Sequence, residues 1–169
     1  MGMRKIVTLG DEALRKVAKP MTKFDLRLWL LLKDMADTMY KAEGVGLAAP
    51  QVGILRRVVV IDVGEGLIEL VNPEIISREG EQAGPEGCLS LPGRQGLVRR
   101  PMKVTVRSQD RNGRPIELTG EGFLARAMCH EIDHLDGVLY IDIMDREITD
   151  EEAEAEAGDE DEAAKAVRE

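Results

Sequence analysis

The chain contains two histidines, and both fall in one five-residue stretch, His130-Glu131-Ile132-Asp133-His134. Residues four apart share one face of a helix. Two imidazoles so placed grip one metal ion, and the carboxylate of Glu131 between them reaches water bound to it. A catalytic site of this kind needs three protein ligands and one open position. With no third histidine, the remaining ligand must be Cys, Asp or Glu. Cys88 stands out by its setting, Glu86-Gly87-Cys88-Leu89-Ser90-Leu91-Pro92. Gly87 permits close backbone approach, and a metal would hold the thiol as thiolate. Cys129 is the poorer candidate, because its neighbour His130 points roughly 100° away from it on a helix. Glu131 is then the proton shuttle. It takes a proton from metal-bound water, the nucleophile, and delivers it to a departing amine.

These residues need a frame. Residues 25–42 carry Leu26, Leu28, Trp29, Leu31, Leu32, Met35, Met39 and Tyr40 near the helical period, which predicts an amphipathic helix capped by Asp25 and stopped by Gly44. Residues 44–53, rich in Gly and Pro, read as an ordered loop. Strands are expected at 57–62, at 68–72 with Pro73 as its stop, more weakly at 74–77, and at 103–107. A turn at 111–114 makes a hairpin into 115–118. Residues 80–97 read as the longest loop. A second helix should start near 119–121 and end near Asp136, with Phe123, Leu124, Ala127, Met128, Ile132 and Leu135 on its apolar face and Gly137 as its stop. The fold class this predicts is α+β, with mainly antiparallel strands around a central metal-binding helix, an N-terminal helix and an acidic C-terminal helix or tail.

At 169 residues and 43% hydrophobic composition, the chain reads as one folded domain. We expect a catalytic unit at 1–148 and an acidic tail at 149–169. Net charge is −9, and residues 150–162 hold nine acids. The remainder is near neutral, which argues against direct nucleic-acid readout. No targeting segment or membrane-length apolar run is visible, and two cysteines make no disulfide framework, so a reducing cytoplasm is expected.

Three segments together resemble the signature motifs of the bacterial peptide deformylases. They are Gly44-Val45-Gly46-Leu47-Ala48-Ala49-Pro50-Gln51, Glu86-Gly87-Cys88-Leu89-Ser90 and His130-Glu131-Ile132-Asp133-His134-Leu135-Asp136-Gly137. They occur in family order, and Asp11-Glu12-Ala13-Leu14-Arg15-Lys16-Val17-Ala18 resembles the family's opening. The resemblance implies removal of the formyl group from the N-terminal formylmethionine of nascent polypeptides. It makes Cys88, His130 and His134 the metal ligands and Glu131 the general base, then acid. The Gln51 side-chain amide and the Leu89 backbone N–H become stabilisers of the oxyanion. The implied metal is Fe2+, with Zn2+ or Ni2+ as substitutes. The peptide is expected to lie extended along Gly44–Gly46, near the ribosomal exit tunnel in the cell. Val45, Gly46, Phe123, Ala127 and the His130 ring are the expected substrate contacts. Arg126 stands where the family often has an apolar residue, and its stem could still line the pocket. Cys129 stands where the family usually has Gln, a spare thiol open to oxidation near a metal.

Two other readings fit the same helix. A metallopeptidase would take its third ligand from Glu151, Glu152 or Glu154, and a non-catalytic module would use the ion only as a staple. The glycines at 44–46 partly mimic a dinucleotide fingerprint, but they follow a helix and precede a strand, the reverse of what that motif requires.

Overall fold

The computed structural model describes residues 2–156. Helix α1 spans Leu26–Lys41, and its start is set by Asp25, whose side chain accepts from the N–H groups of Arg27 and Leu28. At its end the left-handed position is taken by Glu43, with φ 58°. Gly44 then donates its N–H to the Met39 carbonyl. Strands β1 (Gly46–Ala48), β2 (Val58–Ile61), β3 (Ile68–Glu79), β6 (Lys103–Gln109) and β7 (Pro115–Glu121) form an antiparallel sheet in the order β1-β2-β3-β6-β7. Strands β4 (Gln82–Cys88), β5 (Leu91–Arg100) and β8 (Arg146–Ile148) form a second sheet in the order β4-β5-β8. Helix α2 covers Phe123–Leu135, and residues 150–156 are helical. The class is α+β with antiparallel sheets, as the sequence predicts.

At β1 and β2 the larger sheet is buried on both faces, which is why β2 reads Val-Val-Val-Ile without polar alternation. Val58 and Val60 pack with Leu28, Leu32, Met35 and Met39 of α1. Val59 and Ile61 pack with Met128, Ile132 and Leu135 of α2. Helix α2 is thus clamped against the sheet along its inner side, and its remaining face is available for chemistry.

Several boundaries differ from the sequence reading. Residues 80–97 are not a loop: they are most of the β4–β5 hairpin, paired from Gln82↔Arg100 to Cys88↔Leu91. Pro85 is tolerated because β4 is an edge strand. Gly96 is required by packing, since a Cβ there would sit 2.7 Å from the Met144 sulfur. Pro73 does not end its strand; β3 bulges between Val71 and Glu74 and runs on to Glu79, so 74–77 is no separate strand. The bulge is held by Asn72, at φ 52°, whose side chain bonds both backbone groups of Met21 and the Gln109 side chain. Helix α2 starts at Phe123, because 115–121 pair fully with β6. Residues 44–53 contain β1 and a 3-10 turn at Ala49–Val52. Among the described residues no helix is long and apolar enough to cross a membrane.

Candidate metal centre and active site

Cys88 ends β4, one residue before the Leu89-Ser90 turn. The hairpin delivers its sulfur to the outward face of α2. Sγ lies 3.4 Å from His134 Nε2, which lies 3.3 Å from His130 Nε2. The three ligand atoms all fall within 4.8 Å of one another. Tetrahedral coordination at bond lengths of about 2.1 Å to nitrogen and 2.3 Å to sulfur puts donors roughly 3.4–3.7 Å apart. The group therefore fits one divalent ion. Among the described residues it is the only such group with three His, Cys, Asp or Glu ligand atoms. Glu152 is engaged elsewhere, 2.6 Å from Arg146.

Glu86 organises the ligand face from β4. Its Oε1 takes the Nδ1–H of His130 at 2.7 Å and Nη2 of Arg100 at 2.8 Å; its Oε2 takes Nε of Arg100 at 2.7 Å and Nη1 of Arg126 at 2.8 Å. Arg100 also reaches Asp133 at 2.7 Å. Burial alone would raise the Glu86 carboxyl, but the hydrogen bonds from Arg100 and His130 outweigh it and hold the group well below the usual carboxylate range. An ionised acceptor at Nδ1 leaves Nε2 as the lone-pair donor. Burial pulls His134 well below its ordinary value, keeping it neutral as a ligand must be.

Glu131 is buried, and its Oε2 has no hydrogen-bond partner. Burial pushes its pKa up to about 7. Its position depends on Gly46, where a Cβ would come within 2.8 Å of Glu131 Cγ. Gln51 is also buried; its Oε1 accepts from Ala48 N–H at 2.9 Å, and its Nε2 donates to Ser90 Oγ at 3.1 Å and Cys88 Sγ at 3.4 Å. The amide is thereby oriented with one N–H toward the Ser90 hydroxyl and the other toward the Cys88 sulfur. Leu89 packs its side chain against Gly44, where a Cβ would be 2.6 Å from Leu89 Cδ1.

A cleft of about 450 Å³ opens onto these groups, lined by Val45, Gly46, Phe123, Ala127, His130 and Glu131 among others. Every candidate site residue is gathered at this one place. Phe123 belongs to the cleft rather than the core, 54% exposed at its rim.

Sequence reasoning passed over Glu86, Arg100 and Tyr140, and saw in Arg126 only a stem that could line the pocket. Glu86 lay in plain view two residues before Cys88, but nothing local gave it a role. Arg100 and Arg126 meet it only through the fold. The Tyr140 ring stacks on His130 at 6.2 Å between centroids, and no spacing signals that. Cys129 is a core residue, its thiol pushed up to about 11 by burial, the opposite of an oxidation-prone thiolate.

The sequence profile of the family described as polypeptide deformylase matches residues 3–149. The chain belongs to that family. It is 60% identical over 154 residues to the peptide deformylase of Caldanaerobacter subterraneus subsp. tengcongensis, covering 91% of this chain and 97% of the relative. It is also 60% identical over 154 residues to that of Caldicellulosiruptor bescii, covering 91% and 93%. Among solved structures, peptide deformylase from Thermotoga maritima superimposes with a TM-score of 0.84 at 45% identity, over 85% of this chain and 99% of that one. The Synechococcus elongatus deformylase, solved in complex with actinonin, gives 0.82 at 44% identity, over 85% and 79%. The chain is therefore an enzyme of the peptide deformylase family, a metallohydrolase, and the Cys88, His130 and His134 cluster is a place where its metal fits.

Proposed function

We propose that this enzyme removes the formyl group from the N-terminal formylmethionine of nascent polypeptides, releasing formate. The observation that carries the reading is the buried, unpartnered Oε2 of Glu131 beside three convergent soft and borderline donors at the base of an open cleft. A divalent ion held by Cys88, His130 and His134 supplies Lewis acidity, lowering the pKa of water and polarising the formyl carbonyl. Fe2+ is the ion we favour, with Zn2+ or Ni2+ as working substitutes; the donor set suits each.

Glu131 accepts a proton from the attacking water as oxygen adds to the formyl carbon. It then returns that proton to the amine nitrogen as the C–N bond breaks. The Gln51 amide and the Leu89 N–H donate to the developing oxyanion. Strand β1 is an edge strand, so an extended peptide adds to it through backbone hydrogen bonds at Val45 and Gly46, indifferent to side-chain identity. Phe123, Ala127, the Arg126 stem and the His130 ring enclose the methionine side chain. Residues 1–148 are the catalytic unit and 149–169 an acidic extension. Such a substrate places the enzyme in the cytoplasm at the ribosomal exit tunnel.

The direct test uses protein prepared anaerobically with ferrous iron. Formyl-Met-Ala should release formate, and acetyl-Met-Ala should not. No formate from the formyl peptide removes the proposal.

A further inference from the structure

We propose that Arg126 is a positioning residue that ties the methionine pocket to the geometry of the metal ligands, one side chain serving both. This rests on the deformylase reading above. Arg126 and His130 are one helical turn apart on α2, and both bind the same carboxylate. Arg126 Nη1 donates to Glu86 Oε2 at 2.8 Å, and His130 Nδ1 meets Glu86 Oε1 at 2.7 Å. The same Nη1 lies 3.0 Å from the Val98 carbonyl. The guanidinium therefore pins α2 to both strands of the β4–β5 hairpin, which carries Cys88. Meanwhile the residue lines the cleft between Phe123 and Ala127.

Arg100 alone already grips both Glu86 oxygens, so charge pairing by itself leaves Arg126 unnecessary. What Arg126 adds is direction. Without it, Oε2 has one donor fewer and the bidentate Arg100–Glu86 pair can tilt as a unit, carrying the His130 ring with it. Groups that orient a metal-bound histidine in this way are typically worth about 10–100-fold in affinity or activity. The stem makes a separate contribution, an apolar wall for a thioether side chain.

Three variants separate the two halves. Arg126→Met keeps an apolar stem and removes the guanidinium. Arg126→Lys keeps stem and charge with a single donor head. Arg126→Ala removes everything. We expect Arg126→Met to release metal to a chelator about tenfold faster, to alter the visible spectrum of the Co2+-substituted protein, and to lower kcat about tenfold with KM within about threefold. Arg126→Lys should recover much of the metal retention, and Arg126→Ala should add a rise in KM for formyl-Met peptides. A wild-type Co2+ spectrum and chelator rate in Arg126→Met, with only a lowered Tm, overturns the inference. If Arg126→Met does not fold, the same readouts on Arg126→Lys decide it: a spectrum and chelator rate identical to wild type overturn it, and intermediate values support it. The Co2+ spectrum and chelator rate are independent of substrate, so they stand even if formyl peptides prove not to be turned over.

Discussion

Nδ1 of His130 lies 2.7 Å from Oε1 of Glu86, and both side chains are buried. The carboxylate selects which ring nitrogen faces the ion, and its hydrogen bonds from Arg100 and His130 keep it ionised. Glu86→Gln should leave an amide that satisfies Arg100 and His130 together only poorly. Metal affinity should fall about 10–100-fold, measured by competition with a chromogenic chelator. An unchanged affinity would falsify the role given to Glu86.

The same carboxyl predicts an acid limb. Its folded pKa lies below the ordinary value of 4.5, so the stability it adds is present above that value and lost as pH falls through the folded one. With chelator present throughout, the urea midpoint of wild type should fall more steeply than that of Glu86→Gln between about pH 5 and 2. Parallel profiles would show that no such linkage exists.

Glu131 and the ligands should separate cleanly. Glu131→Ala should lower kcat on a formyl-Met peptide by at least about 10²-fold while metal content stays near one per chain. Cys88→Ala should instead lose the metal. A Cys88→Ala protein that keeps both metal and activity points to another third ligand.

Gly46 tests the close approach. The Cβ of Gly46→Ala would meet Glu131 Cγ at 2.8 Å, so the carboxylate must shift. A displacement of about 1 Å can cost about 10²-fold. We expect a kcat loss of that order with metal content unchanged and only a small change in Tm. Wild-type kcat would mean that Glu131 tolerates displacement.

The two thiols should react differently. Cys129 is packed among Met128, Ile132 and sheet residues, its pKa near 11. Iodoacetamide at neutral pH should leave Cys129 unlabelled in native protein and label it once urea is added. Cys129→Ala should retain metal and turnover.

Much of this was legible from the chain, for definite physical reasons. The α1 stripe, the β6–β7 hairpin and the His130/His134 spacing are local signals, written by one element about itself. The β4–β5 hairpin was not legible because its glycines and proline answer to neighbours: Gly96 to Met144 and Tyr140, Pro85 to an unpaired edge. Pro73 misled for a related reason, since a bulge shaped by Asn72 absorbs it. In the site, the convergence of Cys88, His130 and His134, with Glu131 beside them, was readable from residue type and order. The Glu86, Arg100 and Arg126 assembly joins both strands of a hairpin to a helix distant in sequence, and only coordinates reveal it.

Cys88 belongs to the smaller sheet, whereas His130 and His134 ride on the helix packed against the larger one. An ion shared by the three would consequently be a rivet between the two sheets. A chain whose hairpin has not docked offers two imidazoles and no sulfur, and lacks the chemistry. Catalytic competence then requires both sheets in place, since only their junction brings the sulfur to the imidazoles.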